Sequence, residues 1–205
     1  MHLKTLKTLN AHFSKYPYLF GGKPSIGDFG MIAPLYGHLG RDPVPLSLMQ
    51  INAPRLFRWV ERMNRLEPDI GEFENRSTTY LDNDEIPETL IDILKHFAID
   101  FIPESLAAYE CVSSWLQENK DLPSGTEVSR EVGKCKFQVD GVTIDAVAQP
   151  FRFYLMKRLQ NQFDSLNAKD QEEVRQLLEQ CNMDEVLDMR LSREMGRANN
   201  LEVWL

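Results

Sequence analysis

Cysteine is scarce in this chain: Cys111, Cys135 and Cys181 are the three in 205 residues. They are widely spaced and odd in number, with no CxxC pair. That argues against a disulfide framework or a thiolate zinc site, and fits free thiols in a reducing compartment. Histidine is nearly as rare. His2, His12, His38 and His96 stand at no metal-ligand spacing from one another or from a cysteine. Positive charge is in deficit, with 23 Lys+Arg against 31 Asp+Glu and a formal net charge of -8. That balance argues against nucleic acid or an anionic membrane as partner. No apolar run is long enough to span a bilayer, and the N-terminus has no signal-peptide pattern, so the cytoplasm is the expected location. Internal repeats and low-complexity segments are absent. Asn75-Arg76-Ser77 matches a glycosylation acceptor, but without secretion the match reads as chance.

What is present is ordinary globular composition, 42% hydrophobic and 26% charged. At this length the chain can bury a sizeable core, as one domain or two small ones. The stretch Pro17 to Pro43, PYLFGGKPSIGDFGMIAPLYGHLGRDP, organises the rest. Its middle reads as a helix that is apolar nearly all round. Phe29, Ile32, Tyr36 and Leu39 recur on one face, and Gly30, Ala33 and Gly37 form a small-residue stripe. Such a helix is expected to be buried on every side, with another backbone close to the stripe. Ser25 is a good N-cap, and Asp28 three residues on completes a capping box, with Pro24 and Phe29 placed for a hydrophobic staple. Gly40 ends the helix before Arg41-Asp42-Pro43.

Ser25-Ile26-Gly27-Asp28-Phe29, after the lead-in Tyr18 to Pro24, resembles the segment that opens the central core helix in the helical half of glutathione transferases. Ala53 to Met63, APRLFRWVERM, resembles the helix that follows it there. The likeness covers roughly the first third of the chain. The remainder is similar to the C-terminal extension of long bacterial members. The resemblance implies a mostly α fold: a transferase-type helical bundle with a helical extension that contains one small β-hairpin. It also implies a glutathione transferase activity and, in a full-length relative, glutathione as cosubstrate and a small electrophile as substrate. The family's thioredoxin-like half, which binds glutathione and carries the activating Tyr, Ser or Cys, has no counterpart in this sequence, nor do the first helices of the helical half. No catalytic or glutathione-binding residue therefore carries over. The expected partners are a thioredoxin-like half or a second copy of the chain.

Along the chain, Leu3, Leu6, Leu9 and Phe13 keep a helical stripe almost from the first residue, read either as the tail of a longer helix or as a short first helix in its own right; Tyr16-Pro17 stops it. Val44 to Ile51 reads as one short helical turn. Pro54 opens a helix with Leu56, Trp59, Val60 and Met63 inward, and with Arg55, Arg58, Glu61, Arg62 and Arg65 covering the other face. Leu66-Glu67-Pro68 ends it. The expected organisation is a transferase-like core over 1–67, a polar linker over 68–85, and an extension over 86–205 packed on the core.

In the extension, Pro87 opens a helix with Leu90, Ile91, Leu94, Phe97 and Phe101 inward, and Pro103 breaks it. Leu106, Tyr109, Val112 and Trp115-Leu116 form a second helix, so the two read as a helical hairpin. Alternating runs on either side of Asp140-Gly141, within 134–147, predict a β-hairpin. Pro150 opens a helix with Phe151, Leu155, Leu159, Phe163 and Leu166 inward. Asn167 caps the next, with Val174, Leu177, Leu178 and Cys181 inward. The last residues, Asn200 to Leu205, read as an apolar extended tail.

Candidate chemistry is thin. Gly22-Lys23-Pro24-Ser25 faintly echoes a phosphate loop, but Pro17 occupies the earlier glycine position and Pro24 splits Lys from Ser; a turn feeding a helix cap is the better reading. Tyr36, His38 and Asp42 lie close enough for a proton-transfer trio, and a buried structural histidine is the plainer reading of His38. Cys135 and Cys181 fall on inward positions and Cys111 at a partly exposed one. Lys134 and Lys136 share the hairpin's outer face. No metal site emerges. The site residues that can be named are structural, Ser25 and Asp28. Two functions follow. In one, the chain is the electrophile-side scaffold of a glutathione-dependent transferase, inactive without the thioredoxin-like half. In the other, it is a non-catalytic helical docking module.

Overall fold

The computed structural model of the protein describes residues 2–65, 72–73 and 77–205. The expected helix stop at Leu66-Glu67-Pro68, Asn75-Arg76 of the glycosylation match, and much of the expected linker 68–85 lie outside the described residues. Among those described are seven α-helices and two small antiparallel two-stranded sheets. The chain divides into two compact units, residues 1–96 and 97–205. The division falls inside a helix rather than at the polar segment.

Unit 1 holds α1 (His2–Phe13), α2 (Ile26–Pro34), α3 (Pro43–Asn52), α4 (Pro54–Asn64) and the first residues of α5 (Glu88–Glu118). Leu6, Leu9 and Phe13 of α1 pack with Met49, Ala53, Leu56, Trp59 and Val60, all essentially inaccessible. Phe13 stacks on Trp59 with ring centroids 4.8 Å apart. Val44 to Ile51 is more than a single turn: with Pro43 preset for the first helical position, α3 runs ten residues. α2 hands over to a wider π-helical turn, Leu35–Leu39, capped by Gly40.

Two expectations for this unit are corrected. The central helix is not buried on every side: Ile26 is 86% and Phe29 61% exposed, and Gly30, Ala33 and Gly37 face solvent. Among the described residues, apart from the helix's own neighbouring backbone, a Cβ built on Gly30 or Gly37 would find no atom within 4 Å. Arg62 does not cover the outer face of α4. It is 3% exposed, its guanidinium donating to the Pro17 carbonyl and to Glu72 at 2.8 Å each and lying between the rings of Tyr18 and Phe73.

α5 is a single helix of 31 residues that runs through Pro103 from unit 1 into unit 2. The expected helical hairpin is therefore wrong. A proline inside a helix removes one N–H donor and crowds the carbonyl four residues back, here that of Ile99, but need not turn the chain.

Unit 2 continues with β1 (Lys134–Val139), β2 (Val142–Val147), α6 (Phe151–Asp164), α7 (Ala168–Gln180), β3 (Met195–Ala198) and β4 (Leu201–Trp204). β1 and β2 pair antiparallel about Asp140-Gly141, whose φ of 50° and 78° suit the two-residue turn that matches strand twist. In α6 the inward face is Phe153, Met156, Gln160 and Phe163; Phe151, Leu155 and Leu159, expected inward, are exposed. The buried stripe contains a polar residue that the fold satisfies, since the Gln160 amide donates to Val186 O at 2.8 Å and Met189 O at 3.2 Å. The C-terminal residues dock as a paired strand. β4 pairs with β3 across Asn199-Asn200, both at positive φ, and sets Trp204 in the core against Trp115.

Candidate functional site

Ser25 and Asp28 sit at the start of α2 because a short polar cap followed three residues later by a carboxylate satisfies the first free N–H groups of a helix. Asp28 N–H points to Ser25 Oγ at 3.5 Å, and Asp28 Oδ2 accepts the Ser25 backbone N–H at 2.8 Å and its hydroxyl at 2.7 Å. The other carboxylate oxygen works across the unit. Asp28 Oδ1 accepts the Leu19 N–H at 3.1 Å and the Trp59 indole N–H at 3.0 Å. One inaccessible side chain thus ties the lead-in loop, α2 and α4 together. This linkage to Trp59 is not implied by a capping-box spacing, and only the aromatic at a core position of α4 hinted at it.

Two further polar groups fix the lead-in. His12, inaccessible on α1, donates from Nε2 to Tyr18 O at 3.3 Å and lies 2.9 Å from the Thr89 hydroxyl at Nδ1. The Thr89 hydroxyl can serve Nδ1 as either donor or acceptor. Burial holds the His12 pKa below the ordinary value, with the Tyr18 carbonyl and the Asp28 charge opposing. Glu72, nearly inaccessible, is approached by Arg62 at 2.8 Å, Arg55 at 3.2 Å and Arg58 at 3.7 Å. Gly22 allows close approach of the chain: a Cβ there would lie 1.7 Å from the Ser77 carbonyl oxygen. Lys23 of the faint phosphate-loop match rests over the Tyr80 ring, 5.5 Å from its centroid.

The Tyr36, His38 and Asp42 trio does not assemble. Tyr36 accepts a hydrogen bond from Arg41 at 2.7 Å, and His38 is exposed rather than buried, because it lies on the outer side of the π-helical turn. Cys135 and Cys181 are buried and Cys111 is half-buried. Among the described residues no three His, Cys, Asp or Glu side chains are grouped to hold a metal ion. No described helix is long and apolar enough to cross a membrane.

Unit 1 has an open cleft of about 610 Å³ whose described walls include Lys15, Tyr16, Glu72, Phe73, Asp82 and Glu85. The unit's other distinctive surface is the apolar one on α2 and the π-helical turn, anchored from beneath by Asp28.

Residues 3–62, from the start of α1 to the last turn of α4, match the family model of the glutathione S-transferase C-terminal domain. The match covers less than a third of the chain and includes the capping box, the exposed α2 face and Trp59. No curated protein and no solved structure gives a significant match.

Proposed function

We propose, from the premise that residues 3–62 are a segment of the glutathione S-transferase C-terminal domain family, that unit 1 is the electrophile-side scaffold of a glutathione-dependent transferase. The observation that carries this reading is the apolar face of α2 and the π-helical turn. Phe29 is well exposed, and Gly30 and Gly37 have open space where a side chain would stand. A glycine costs about 1 kcal/mol in a helix interior, which close approach of another surface or of a flat ligand would offset. The capping box and the Asp28–Trp59 link hold that face rigidly, as a binding wall requires.

On this reading the chain's own residues do two things. Phe29, Ile32 and Tyr36 offer apolar contact to a small hydrophobic electrophile, and the Gly30, Ala33 and Gly37 stripe accepts a thioredoxin-like half or a second copy of the chain. Glutathione binding and thiol activation are assigned on this reading to the thioredoxin-like half. Nucleic acid and membrane have no part in it.

Calorimetric titration tests the proposal. A hydrophobic aromatic electrophile should bind the chain, and Phe29→Ser should weaken that binding about tenfold, equivalent to about 1.4 kcal/mol. Glutathione alone should give no binding heat. Saturable glutathione binding, or electrophile binding indifferent to Phe29→Ser, would overturn the scaffold assignment.

A further inference from the structure

The fold of unit 2 brings two of the three thiols together. Cys111 lies half-buried on α5, and Cys135 is the buried second residue of β1. The Cys111 thiol donates to the carbonyl oxygen of Lys134 at 3.9 Å. That oxygen lies in the peptide leading into Cys135. Standard peptide dimensions then place Cys111 Sγ within about 7 Å of the Cys135 Cα.

Gly133 adds the direction. A Cβ on Gly133 would meet Cys111 Sγ at 2.7 Å, closer than contact permits, so the missing side chain is what lets the sulfur rest on the strand. Cys111 Sγ therefore rests against the backbone at both Gly133 and Lys134, the two residues that lead into Cys135, and the Cys135 thiol feels the Cys111 charge.

We propose that Cys111 and Cys135 form a thiol–disulfide exchange pair, in which a low-molecular-weight disulfide reacts at Cys111 and Cys135 resolves the adduct into an internal bridge. In the first step the Cys111 thiolate attacks one sulfur of the disulfide. The sulfur–sulfur bond breaks, and the departing thiolate takes up a proton equivalent to the one Cys111 released. In the second step Cys135 gives its proton to solvent and attacks Cys111 Sγ, expelling the second small thiolate, which is protonated in turn. Two protein thiols are oxidised and one small disulfide is reduced to two thiols. The order follows from access: Cys111 is reachable, whereas Cys135 is buried. Burial also pushes the Cys135 thiol up, as does its nearness to Cys111 and Glu104, against the opposing Arg152 guanidinium. The bridge would pin β1 to α5.

The experiment treats the full chain, native in buffer, with hydroxyethyl disulfide and reads intact mass and peptide maps. The native chain should lose two hydrogens in mass, with the peptides carrying Cys111 and Cys135 linked and the Cys181 peptide outside that linkage. Cys135→Ser should stop at a stable mixed disulfide on Cys111, and Cys111→Ser should give neither product. Thermal melting checks that each variant is folded; if Cys135→Ser is not, the linkage in the native chain decides alone. A mixed disulfide that persists on Cys111 with Cys135 present, no modification of Cys111, or a bridge that forms only in denaturant would each overturn the pair.

Discussion

Trp59 and Asp28 are joined by a hydrogen bond of 3.0 Å, the indole N–H of α4 donating to the carboxylate that caps α2. Both side chains are inaccessible. The cap is therefore more than a local device. A residue selected to start one helix also sets the position of another, and with it the exposed face of α2.

The first prediction separates the two roles. Ser25→Ala should destabilise the protein by about 0.5–2 kcal/mol, the ordinary loss of an N-cap. Asp28→Ala leaves the N–H groups of Leu19, Ser25 and Trp59 without their acceptor and should cost more than about 3 kcal/mol, given about 1–3 kcal/mol for each buried unsatisfied group. Urea denaturation gives both values. Equal losses would mean that the cap alone matters and the link to α4 does not.

His12 sets a pH dependence. Its folded pKa is lowered by burial, while the unfolded ring titrates near 6.5. Below that value the unfolded state binds the proton more readily, so the His12 contribution is complete above 6.5 and is lost as pH falls from there through the folded pKa. His12→Gln lacks this titration, and the carboxylates common to both proteins cancel in the comparison. Unfolding midpoints between about pH 7.5 and about pH 5 should fall more steeply in the native protein than in the variant. Parallel profiles would contradict a His12 pKa lowered by burial.

The two stripes of α6 predict opposite responses to substitution. Leu155→Glu and Leu159→Lys, on the exposed stripe, should change stability by less than about 0.5 kcal/mol. Met156→Ala, on the buried one, should cost about 2–5 kcal/mol. Thermal or denaturant melts of the three variants test this, and a large loss from Leu155→Glu would restore the face expected from the sequence.

Pro103 offers a gain. Pro103→Ala supplies an N–H to the Ile99 carbonyl and removes the ring, which should stabilise the protein by about 1–3 kcal/mol if α5 is continuous. Were the two halves of α5 a hairpin with proline in the turn, the same change would destabilise.

What could be read in the sequence was what short spacings determine. The Ser25/Asp28 box, the Asp140-Gly141 hairpin and the Asn167 cap each depend on residues within a few positions of one another. What could not be read depended on distant partners. Gln160 hid the buried stripe of α6, because a polar residue looks outward until the carbonyls of Val186 and Met189 are brought to it. Arg62 looked like a surface charge until Glu72 and the Pro17 carbonyl enclosed it. Pro103 looked like a break because its penalty is local, whereas the packing on both sides of it is not. The turn at Asn199-Asn200 went unread because Asn-Asn lacks the glycine of the commoner hairpin signal. Of the candidate site, the box was legible; the exposure of the α2 face was not, since an apolar helix reads as buried whatever surface is there to cover it.

The measurement that bears most directly on the scaffold assignment is an NMR titration of the isotopically labelled chain with an aromatic electrophile and, separately, with glutathione. The account predicts amide shift changes concentrated in Phe29–Leu39 on adding the electrophile and none on adding glutathione alone. Shifts produced by glutathione, or an electrophile response that spares Phe29–Leu39, would contradict it.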